Sequence, residues 1–306
     1  MGDLKTELKA FARDKGADLF GIAGKECFSK LPGMKPDELL PGANSVIVLG
    51  VRRNWHMLRY KPSWHHSEWY VASLAERFYI VDRVAAFLED VGIEAFPIAG
   101  HAVFSPRGTA LEKTIGKLSI TEEGEIIGGE AFARAYFEGN KCLSFIRLGE
   151  EAGLGEVGRC LMLVTPDFGP RVTLAAVITT AELEPDQKLT EKVCMGDECN
   201  KCVEMCQSGA IMPYGYNLIK CMVQLGILSV ELLKKRNYEE IHRQITLSKR
   251  DVFVGGECGV CMLSCPVGRI KYSPATLSGF SKRPLVEPLT SSELMHPHPV
   301  ERKEKV

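Results

Sequence analysis

The spacing of the cysteines constrains this chain more than any other feature of its sequence. Eight of its eleven cysteines lie between residues 194 and 265, in the pattern C-x4-C-x2-C-x3-C, one single cysteine, and C-x2-C-x3-C-P. These eight are Cys194, Cys199, Cys202, Cys206, Cys221, Cys258, Cys261 and Cys265. Gaps of two and three residues let thiolates from one turn of chain converge on a cuboidal iron–sulfur cluster. The sequence therefore predicts a centre built from cysteine thiolates.

The cysteine after each three-residue gap decides how the eight thiolates divide. In two-cluster ferredoxins, that cysteine ligates the other cluster of the pair. The ligands expected for the first cluster are Cys194, Cys199, Cys202 and Cys265. Those expected for the second cluster are Cys206, Cys221, Cys258 and Cys261. Because no thiolate is left over, the pattern predicts two [4Fe–4S] clusters close together, which is an arrangement for relaying electrons.

Two zinc sites are the alternative interpretation of these cysteines. Zinc ribbons favour paired C-x2-C knuckles separated by a spacer, without a crossed cysteine or a trailing proline. The chain departs from the commonest cluster pattern in two places: the first gap has four residues, and Gln207 follows Cys206 where a proline is common. Neither departure removes a thiolate, so the pattern favours clusters.

Composition and the first residues bear on where the protein works. Hydrophobic residues make up 45% and charged residues 25%, and the net charge is −1, which argues against a broad basic surface for nucleic acid. Leu4, Leu8 and Phe11 recur at helical spacing among charges, so the N-terminus lacks the apolar core of a secretory signal. We expect a cytoplasmic protein with no membrane contact, where a reducing environment favours metal chemistry over disulfides.

Hydrophobic periodicity predicts an α+β fold for residues 1–189. We expect helices over 3–15 and 67–89, and strands in ADLFGIA, SVIVLGV, IEAFPIA, LMLV and VTLAAVIT. SVIVLGV, residues 45–51, is a continuous apolar run typical of a central strand. Residues 117–139 carry glycine pairs and charges, which predicts a surface excursion.

Two further regions follow this predicted domain. Residues 190–275 carry the eight cysteines and helical connectors around 216–236, which predicts a double [4Fe–4S] ferredoxin-like domain. Residues 276–306 are rich in proline and charge. We expect them to form a C-terminal arm that packs on its own body or joins a homodimer.

A literal GxGxxG, formed by Gly153, Gly155 and Gly158, precedes the LMLV strand. A dinucleotide fingerprint needs a strand before the glycines, a helix after them and an acidic residue further on. Here the preceding SFIRLGEE is typical of a helix and the following LMLV of a strand, so the order is reversed. The motif therefore does not predict a dinucleotide site, and a tight helix-to-strand turn without a ligand is its plain interpretation.

The same stretch carries a family resemblance. AGLGEVGRCLMLVTPDFGPRVTLAAVITTAELEPD, followed by the eight cysteines, resembles the epoxyqueuosine reductase and reductive dehalogenase family. The N-terminal segments DLFGIA and LPGANSVIVLGV are similar to that family too. The resemblance covers residues 5–55 and 140–275, and the combination of the glycine loop with the cysteine order is its most specific part.

The resemblance implies a nitroreductase-like domain that binds base-off cobalamin, with an inserted or appended two-cluster module. The residues at family positions near the cofactor are Gly153, Gly155, Gly158, Gly169, Arg171, Thr179 and Thr180. Glycines there would let the backbone approach a bulky corrin. The resemblance further implies a low-potential electron donor, a ferredoxin or flavodoxin, that reduces one cluster, while the other cluster reduces cobalt.

The substrate-binding residues match the family least well. Epoxyqueuosine reductases carry an aspartate proton donor shortly before the glycine loop, where this chain has Gly139 and Asn140, and neither can act as a carboxylic acid. The candidate catalytic residues are Asn140, Lys141, Arg147, His66 and Tyr70.

Each of these candidates has a plainer interpretation. Lys141 and Arg147 are suited to stabilise negative charge on a substrate, or are ordinary charges on a helix face. His66 and Tyr70 lie near the end of the stretch NWHMLRYKPSWHHSEWY, where they are candidate proton donors or parts of an aromatic surface loop.

The three cysteines outside the cluster pattern have either a functional or a structural interpretation. Cys142 is a candidate cleft thiol, whereas Cys27 and Cys160 are expected to be small buried side chains.

Together these features predict a cobalamin-dependent iron–sulfur reductase that acts on a small molecule or a modified nucleoside. The alternative from a different class is a non-catalytic electron-transfer protein that serves a separate corrinoid protein or enzyme. A zinc-binding interaction module is the third hypothesis.

Overall fold

A four-stranded antiparallel sheet forms the centre of the N-terminal part of the chain, as seen in a computed structural model. The structure describes residues 3–54, 64–99, 117–121, 126–129, 143–212, 215–224, 230–235, 240 and 259–268, and only the backbone of 64–68, 70 and 71. The compact unit that contains these residues ends at Gly268. The predicted C-terminal arm, 276–306, lies outside the described residues.

The secondary structure of the first part agrees with the predicted order. In chain order its elements are α1 (Leu4–Asp14), β1 (Leu19–Gly24), a 3-10 helix (Lys25–Lys30), α2 (Pro36–Leu39), β2 (Ser45–Arg52), α3 (Trp64–Asp90), β3 (Ala95–Ile98), β4 (Ser119–Ile120), β5 (Ile126–Ile127), α4 (Phe145–Glu151), β6 (Glu156–Val157), β7 (Leu163–Val164) and β8 (Val172–Thr179). The strand order of the sheet is β1-β2-β8-β3, with every neighbouring pair antiparallel. The predicted α+β class and the central position of β2 are confirmed.

Strands β2 and β8 are apolar throughout because helices cover both faces of the sheet. Ile47 packs in a core shared with α1 and α3, whereas its neighbour Val48 packs in a second core shared with α4. Successive side chains of a strand point to opposite faces, so a strand covered on both faces has no polar positions to alternate. Val48 lies opposite Gly21 on one side and Ala176 on the other, which fixes the register of the three strands.

The cysteine-rich part is built from short elements. They are a 3-10 helix (Gly196–Glu198), α5 (Lys201–Glu204), β9 (Ile211–Met212), β10 (Gly215–Tyr216), α6 (Leu218–Gln224), α7 (Val230–Lys234) and α8 (Val260–Ser264). The helical connectors predicted around 216–236 are confirmed by α6 and α7. No helix in the described ranges has both the length and the apolar character needed to cross a membrane.

The predicted surface excursion at 117–139 is confirmed at Lys117 and Ile127, which are exposed, but not at Leu118. Leu118, just before β4, is 1% exposed and packs with Ile219, Met222, Leu232 and Leu233 of α6 and α7. Leu118 directly follows the charged Lys117, and a strand of two residues is too short for hydrophobic periodicity to mark Leu118 as buried. A segment of the first part therefore shares a core with the cysteine-rich part, and the boundary at residue 189 stays a prediction.

Candidate metal centre

Four thiols predicted to hold the first cluster line one cavity. Its wall includes Cys194, Cys199, Cys202 and Cys265, and the cavity volume is about 30 Å³. Three of these cysteines come from one short segment, whereas Cys265 comes from the far end of the cysteine-rich part. The structure therefore brings together the crossed set that the three-residue gap predicts.

Local backbone structure explains how Cys194, Cys199 and Cys202, which are close in sequence, all line the same cavity. The 3-10 helix ends at Glu198 with Cys199 as its C-cap, and Asn200 then adopts a left-handed φ of 50° before α5 begins. The Asn200 side chain donates to the carbonyl of Asp197 at 2.9 Å, which stabilises this reversal. Asparagine tolerates the left-handed region better than most residues, so the turn between Cys199 and Cys202 has a local cause.

Cys265 approaches the cavity from the end of α8, which packs against α5. Its ψ of 126° is extended and Pro266 follows, so the helix stops at the cysteine. Burial raises the pKa of Cys265, and the neighbouring thiols of Cys194, Cys199 and Cys202 raise it further. Four thiols that line one cavity match the number of protein ligands that a [4Fe–4S] cluster takes. The residues present therefore fit an iron–sulfur cluster.

Three cysteines of the second predicted set influence the pKa of Tyr216. Burial raises the pKa of the Tyr216 phenol, and the charge and hydrogen bond of Cys221 and the charges of Cys261 and Cys206 add to the effect. The fourth member of this set, Cys258, lies outside the described residues. Within the described ranges, no three Cys, His, Asp or Glu side chains converge closely enough for a single metal ion.

The glycine loop, residues 153–158, contacts residues 190–209, which carry the first four cysteines and are called the cysteine segment here. A Cβ on Gly158 would lie 2.5 Å from a Val164 methyl and 3.5 Å from the sulfur of Cys194. The Glu156 carboxylate accepts hydrogen bonds from the backbone N–H groups of Val193 and Cys194, at 2.8 and 3.0 Å. The loop therefore holds the start of the cysteine segment in place.

The other two glycines of the motif are also fitted to protein atoms. A Cβ on Gly153 would meet the carbonyl of Gln187 at 2.3 Å, and one on Gly155 would meet that of Val164 at 2.5 Å. The helix α4 before them and the short strands β6 and β7 after them confirm that the order is not that of a dinucleotide fold. The space that a side chain would fill is taken by backbone, and the role of these glycines in cobalamin binding stays a prediction.

The remaining residues predicted to contact cobalamin also make contacts within the chain. A Cβ on Gly169 would lie 2.2 Å from the carbonyl of Val267, and the buried Arg171 guanidinium donates to the carbonyl of Gly268. Thr179 is fully buried and its hydroxyl donates to the carbonyl of Glu94 at 2.9 Å. Thr180 accepts a hydrogen bond from Asn44 at its carbonyl. Their role in cobalamin binding stays a prediction, which these contacts do not support.

Of the five candidate catalytic residues, only Arg147 has a described side chain. Its guanidinium forms an ion pair with Glu150 at 2.9 Å on the surface of α4, and its side chain is 49% exposed. Glu150 also accepts from the N–H of Val157 at 3.1 Å. These contacts support the plainer interpretation of a helix-face charge. Asn140, Lys141 and Cys142 lie outside the described residues. The structure describes the backbone of His66 and Tyr70 but not their side chains.

Sequence reasoning missed several residues of the centre. Glu156 and the ion pair between Arg159 and Asp197 join the glycine loop to the cysteine segment. Cys160 is buried as predicted, yet it lies in the wall of the thiol cavity. Its position directly after the glycine loop was the available signal, but only the folded chain shows that this loop meets the cysteines.

The fold and the thiol cavity define an α+β protein with a cysteine-built centre, and comparisons with known proteins extend this class. An epoxyqueuosine reductase from Bacillus cereus is 36% identical over 236 residues, which cover 69% of this chain and 53% of that protein. A tetrachloroethene reductive dehalogenase from Sulfurospirillum multivorans is 34% identical over 119 residues, or 38% of this chain and 22% of that protein. No protein-family model matches the chain.

A solved structure adds a likeness in fold. It is a reductive dehalogenase whose structure suggests a mechanism for B12-dependent dehalogenation, with a TM-score of 0.53 and 18% identity over 89% of this chain and 33% of that one. The chain is a homologue of epoxyqueuosine reductases and reductive dehalogenases, so the resemblance read from its sequence is confirmed. It spans about half the length of the Bacillus cereus relative and less of the other two proteins.

Proposed function

We propose that the protein is an oxidoreductase that carries two [4Fe–4S] clusters and uses cobalamin to reduce a small molecule or a modified nucleoside. The observation that carries the proposal is the cavity lined by Cys194, Cys199, Cys202 and Cys265. Its homologues are named reductases, which supports the reaction class.

In this proposal the chain's own residues build an electron path. Cys194, Cys199, Cys202 and Cys265 hold the first cluster, and Glu156 fixes the backbone at Cys194. The second cluster is held by Cys206, Cys221, Cys258 and Cys261. The exposed side chains of Met195 and Met205 lie beside these cysteines in sequence and leave the segment open to an electron donor. A ferredoxin or flavodoxin is the donor class suited to this role.

Cobalamin rests on weaker support than the clusters. When bound, it supplies a strongly reducing cobalt centre, a type of chemistry that side chains do not provide. In this proposal, residues 1–189 form a nitroreductase-like domain that binds the cobalamin. Support comes from the likeness to a reductive dehalogenase whose dehalogenation is B12-dependent, and not from the glycine loop, whose close contacts are made with protein.

Iron analysis with two matched variants tests the cluster proposal. The full-length chain, purified anaerobically, is expected to hold about eight irons and negligible zinc, as two clusters of four require. Cys265→Ser and Cys261→Ser are each expected to lose one cluster, with different electron paramagnetic resonance signals remaining. About two zincs in place of iron would reject the proposal, and loss of the same cluster in both variants would reject the crossed ligand sets.

A non-catalytic electron-transfer protein is the second candidate function. It is favoured by the glycine loop, because that loop is fitted to the cysteine segment and not to an open cleft. Titration of the cluster-loaded protein with cobalamin separates the two functions. A base-off cobalt spectrum is expected for the reductase, and its absence in iron-replete protein would favour the electron carrier. An epoxyqueuosine assay is then the first substrate test.

A further inference from the structure

An arginine lies in the wall of the cavity lined by Cys194, Cys199, Cys202 and Cys265. Among the residues that the structure describes around this cavity, Arg159 alone carries a cationic side chain, and no carboxylate lines it. The other lining residues are thiols, apolar side chains, a glycine and an asparagine. The Arg159 side chain is only 14% exposed. A mostly buried positive charge therefore borders the space between the predicted ligands of the first cluster.

The turn that follows the glycine loop fixes the position of Arg159. The backbone N–H of Leu161 donates to the carbonyl of Gly158 at 2.9 Å, which closes a tight turn around Arg159. A Cβ on Gly158 would lie 3.5 Å from the sulfur of Cys194, so the backbone next to Arg159 packs against a predicted ligand. A guanidinium nitrogen of Arg159 lies 4.0 Å from the position of a Cβ on Gly196, which also lines the cavity. The Arg159 side chain therefore reaches from the glycine loop to the cysteine segment along the cavity wall.

The anionic partner of Arg159 lies outside that wall. The guanidinium is paired with the carboxylate of Asp197, whose side chain is 79% exposed, and Asp197 does not line the cavity. Water screens an exposed charge more strongly than a buried one, so the carboxylate offsets only part of the field that the guanidinium produces in the cavity. Because an arginine side chain stays protonated in proteins, this positive charge is permanent.

We propose that Arg159 raises the reduction potential of the first cluster by placing a permanent positive charge beside it, and that Asp197 moderates this effect. The inference rests on the proposed iron–sulfur function and names the residues that tune it. Four thiolates make a [4Fe–4S] cluster anionic and reduction makes it more so, and a nearby cation therefore stabilises the reduced form more than the oxidised form. Arg159 acts on the cluster through its charge and is not a ligand.

Substitution of both partners of the ion pair separates this role from a structural one. Arg159→Gln removes the positive charge, Arg159→Lys keeps it, and Asp197→Asn leaves Arg159 in place without its carboxylate. Arg159→Gln and Asp197→Asn break the same ion pair, so a purely structural contact would give both variants the same effect. Arg83→Gln and Asp82→Asn are the matched controls, because Arg83 and Asp82 form an ion pair on α3 and neither lines the cavity.

The full-length, cluster-loaded variants are analysed for iron, and each cluster is then titrated against potential by electron paramagnetic resonance. All variants are expected to keep the wild-type iron content. In Arg159→Gln, the reduced-to-oxidised ratio of one cluster at a fixed potential should fall about tenfold, which corresponds to about 59 mV for a one-electron couple. In Asp197→Asn, the same ratio should rise about threefold, a smaller change because the lost carboxylate is screened by water. Arg159→Lys and the two controls should titrate close to the wild type, and the shifted cluster should be the one that Cys265→Ser loses.

Several results would overturn the inference while leaving the proposed function in place. They are an unchanged potential in Arg159→Gln, a shift of the same sign in Arg159→Gln and Asp197→Asn, an equal shift in Arg159→Lys, and a shift confined to the other cluster. Loss of iron in Arg159→Gln would also overturn it, because the ion pair would then be a structural contact. A wild-type protein without iron would overturn the proposed function and this inference together.

Discussion

The antiparallel sheet and the cysteine segment of this chain are stabilised in opposite ways. In the sheet, residues 46–49 of β2 are at most 1% exposed and are covered on both faces. In the cysteine segment, no residue from 190 to 209 is buried. Apolar burial is the main favourable term in folding, so a segment without it needs another source of stability. Thiolate–metal bonds supply that source in small metal-binding modules.

Removal of iron from the proposed clusters should destabilise the cysteine segment and leave the sheet folded, and we expect this to be the largest effect of any change to the protein. In the apo-protein, residues 190–209 should be cleaved rapidly by added protease, whereas residues 45–52 and 172–179 should stay protected. The reason is that binding free energy of a structural metal centre is also folding free energy for the residues that hold it. Limited proteolysis followed by mass spectrometry measures both regions in one sample. Equal protection of 190–209 with and without iron would contradict the comparison.

A cavity in the sheet should have the reverse effect. Ile47→Ala removes a fully buried side chain from the core shared with α1 and α3. We expect the free energy of unfolding to fall by about 2–5 kcal/mol, measured by urea denaturation, with iron content unchanged. Ile127→Ala is the matched control because Ile127 is 51% exposed, and it should cost much less. Loss of iron in Ile47→Ala at unchanged stability would mean that the regions do not divide as proposed.

Glu156 lies where the two regions meet and should show an intermediate effect. Glu156→Gln removes the negative charge that accepts hydrogen bonds from the N–H groups of Val193 and Cys194. Hydrogen bonds to a charged group contribute about 1.5–3 kcal/mol, so the cluster should release iron to a chelator ~tenfold faster or more. The exposed Glu191 supplies the control Glu191→Gln, which should release iron at the wild-type rate. Equal rates of iron release in both variants would show that Glu156 does not stabilise the metal centre.

The sequence predicts the two regions with different success, for physical reasons. Strands such as β2 and β8 are predicted closely because burial on both faces leaves a continuous apolar run. The crossed placement of Cys265 follows from its spacing after Cys261. The contacts between regions were not predictable, because Glu156 and Leu118 each act through a single side chain. No local period marks such a residue, and only the folded chain brings it to its partner.

The glycine motif shows how a correct local prediction can leave the function open. The order of α4, loop and strand excluded a dinucleotide site from sequence alone. The glycine pattern alone does not tell whether a ligand or another part of the protein lies against the loop, because a missing Cβ leaves space for either. Only the position of the Cys194 sulfur beside Gly158 shows which neighbour uses that space.

The smallest expected effect concerns the buried thiol of the sheet region. Burial raises the pKa of Cys27 from 9.0 to about 12, so the folded protein keeps this thiol protonated where the unfolded chain ionises. The stabilising contribution is complete below pH 9 and is lost as the pH rises from there towards 12. Between pH 8 and pH 10, the free energy of unfolding should fall by about 1 kcal/mol more in the wild type than in Cys27→Ala. Urea denaturation of iron-free protein at the two pH values measures this difference, since the other thiols are common to both chains and cancel. An identical pH dependence in the two proteins would show that Cys27 does not stay protonated in the core.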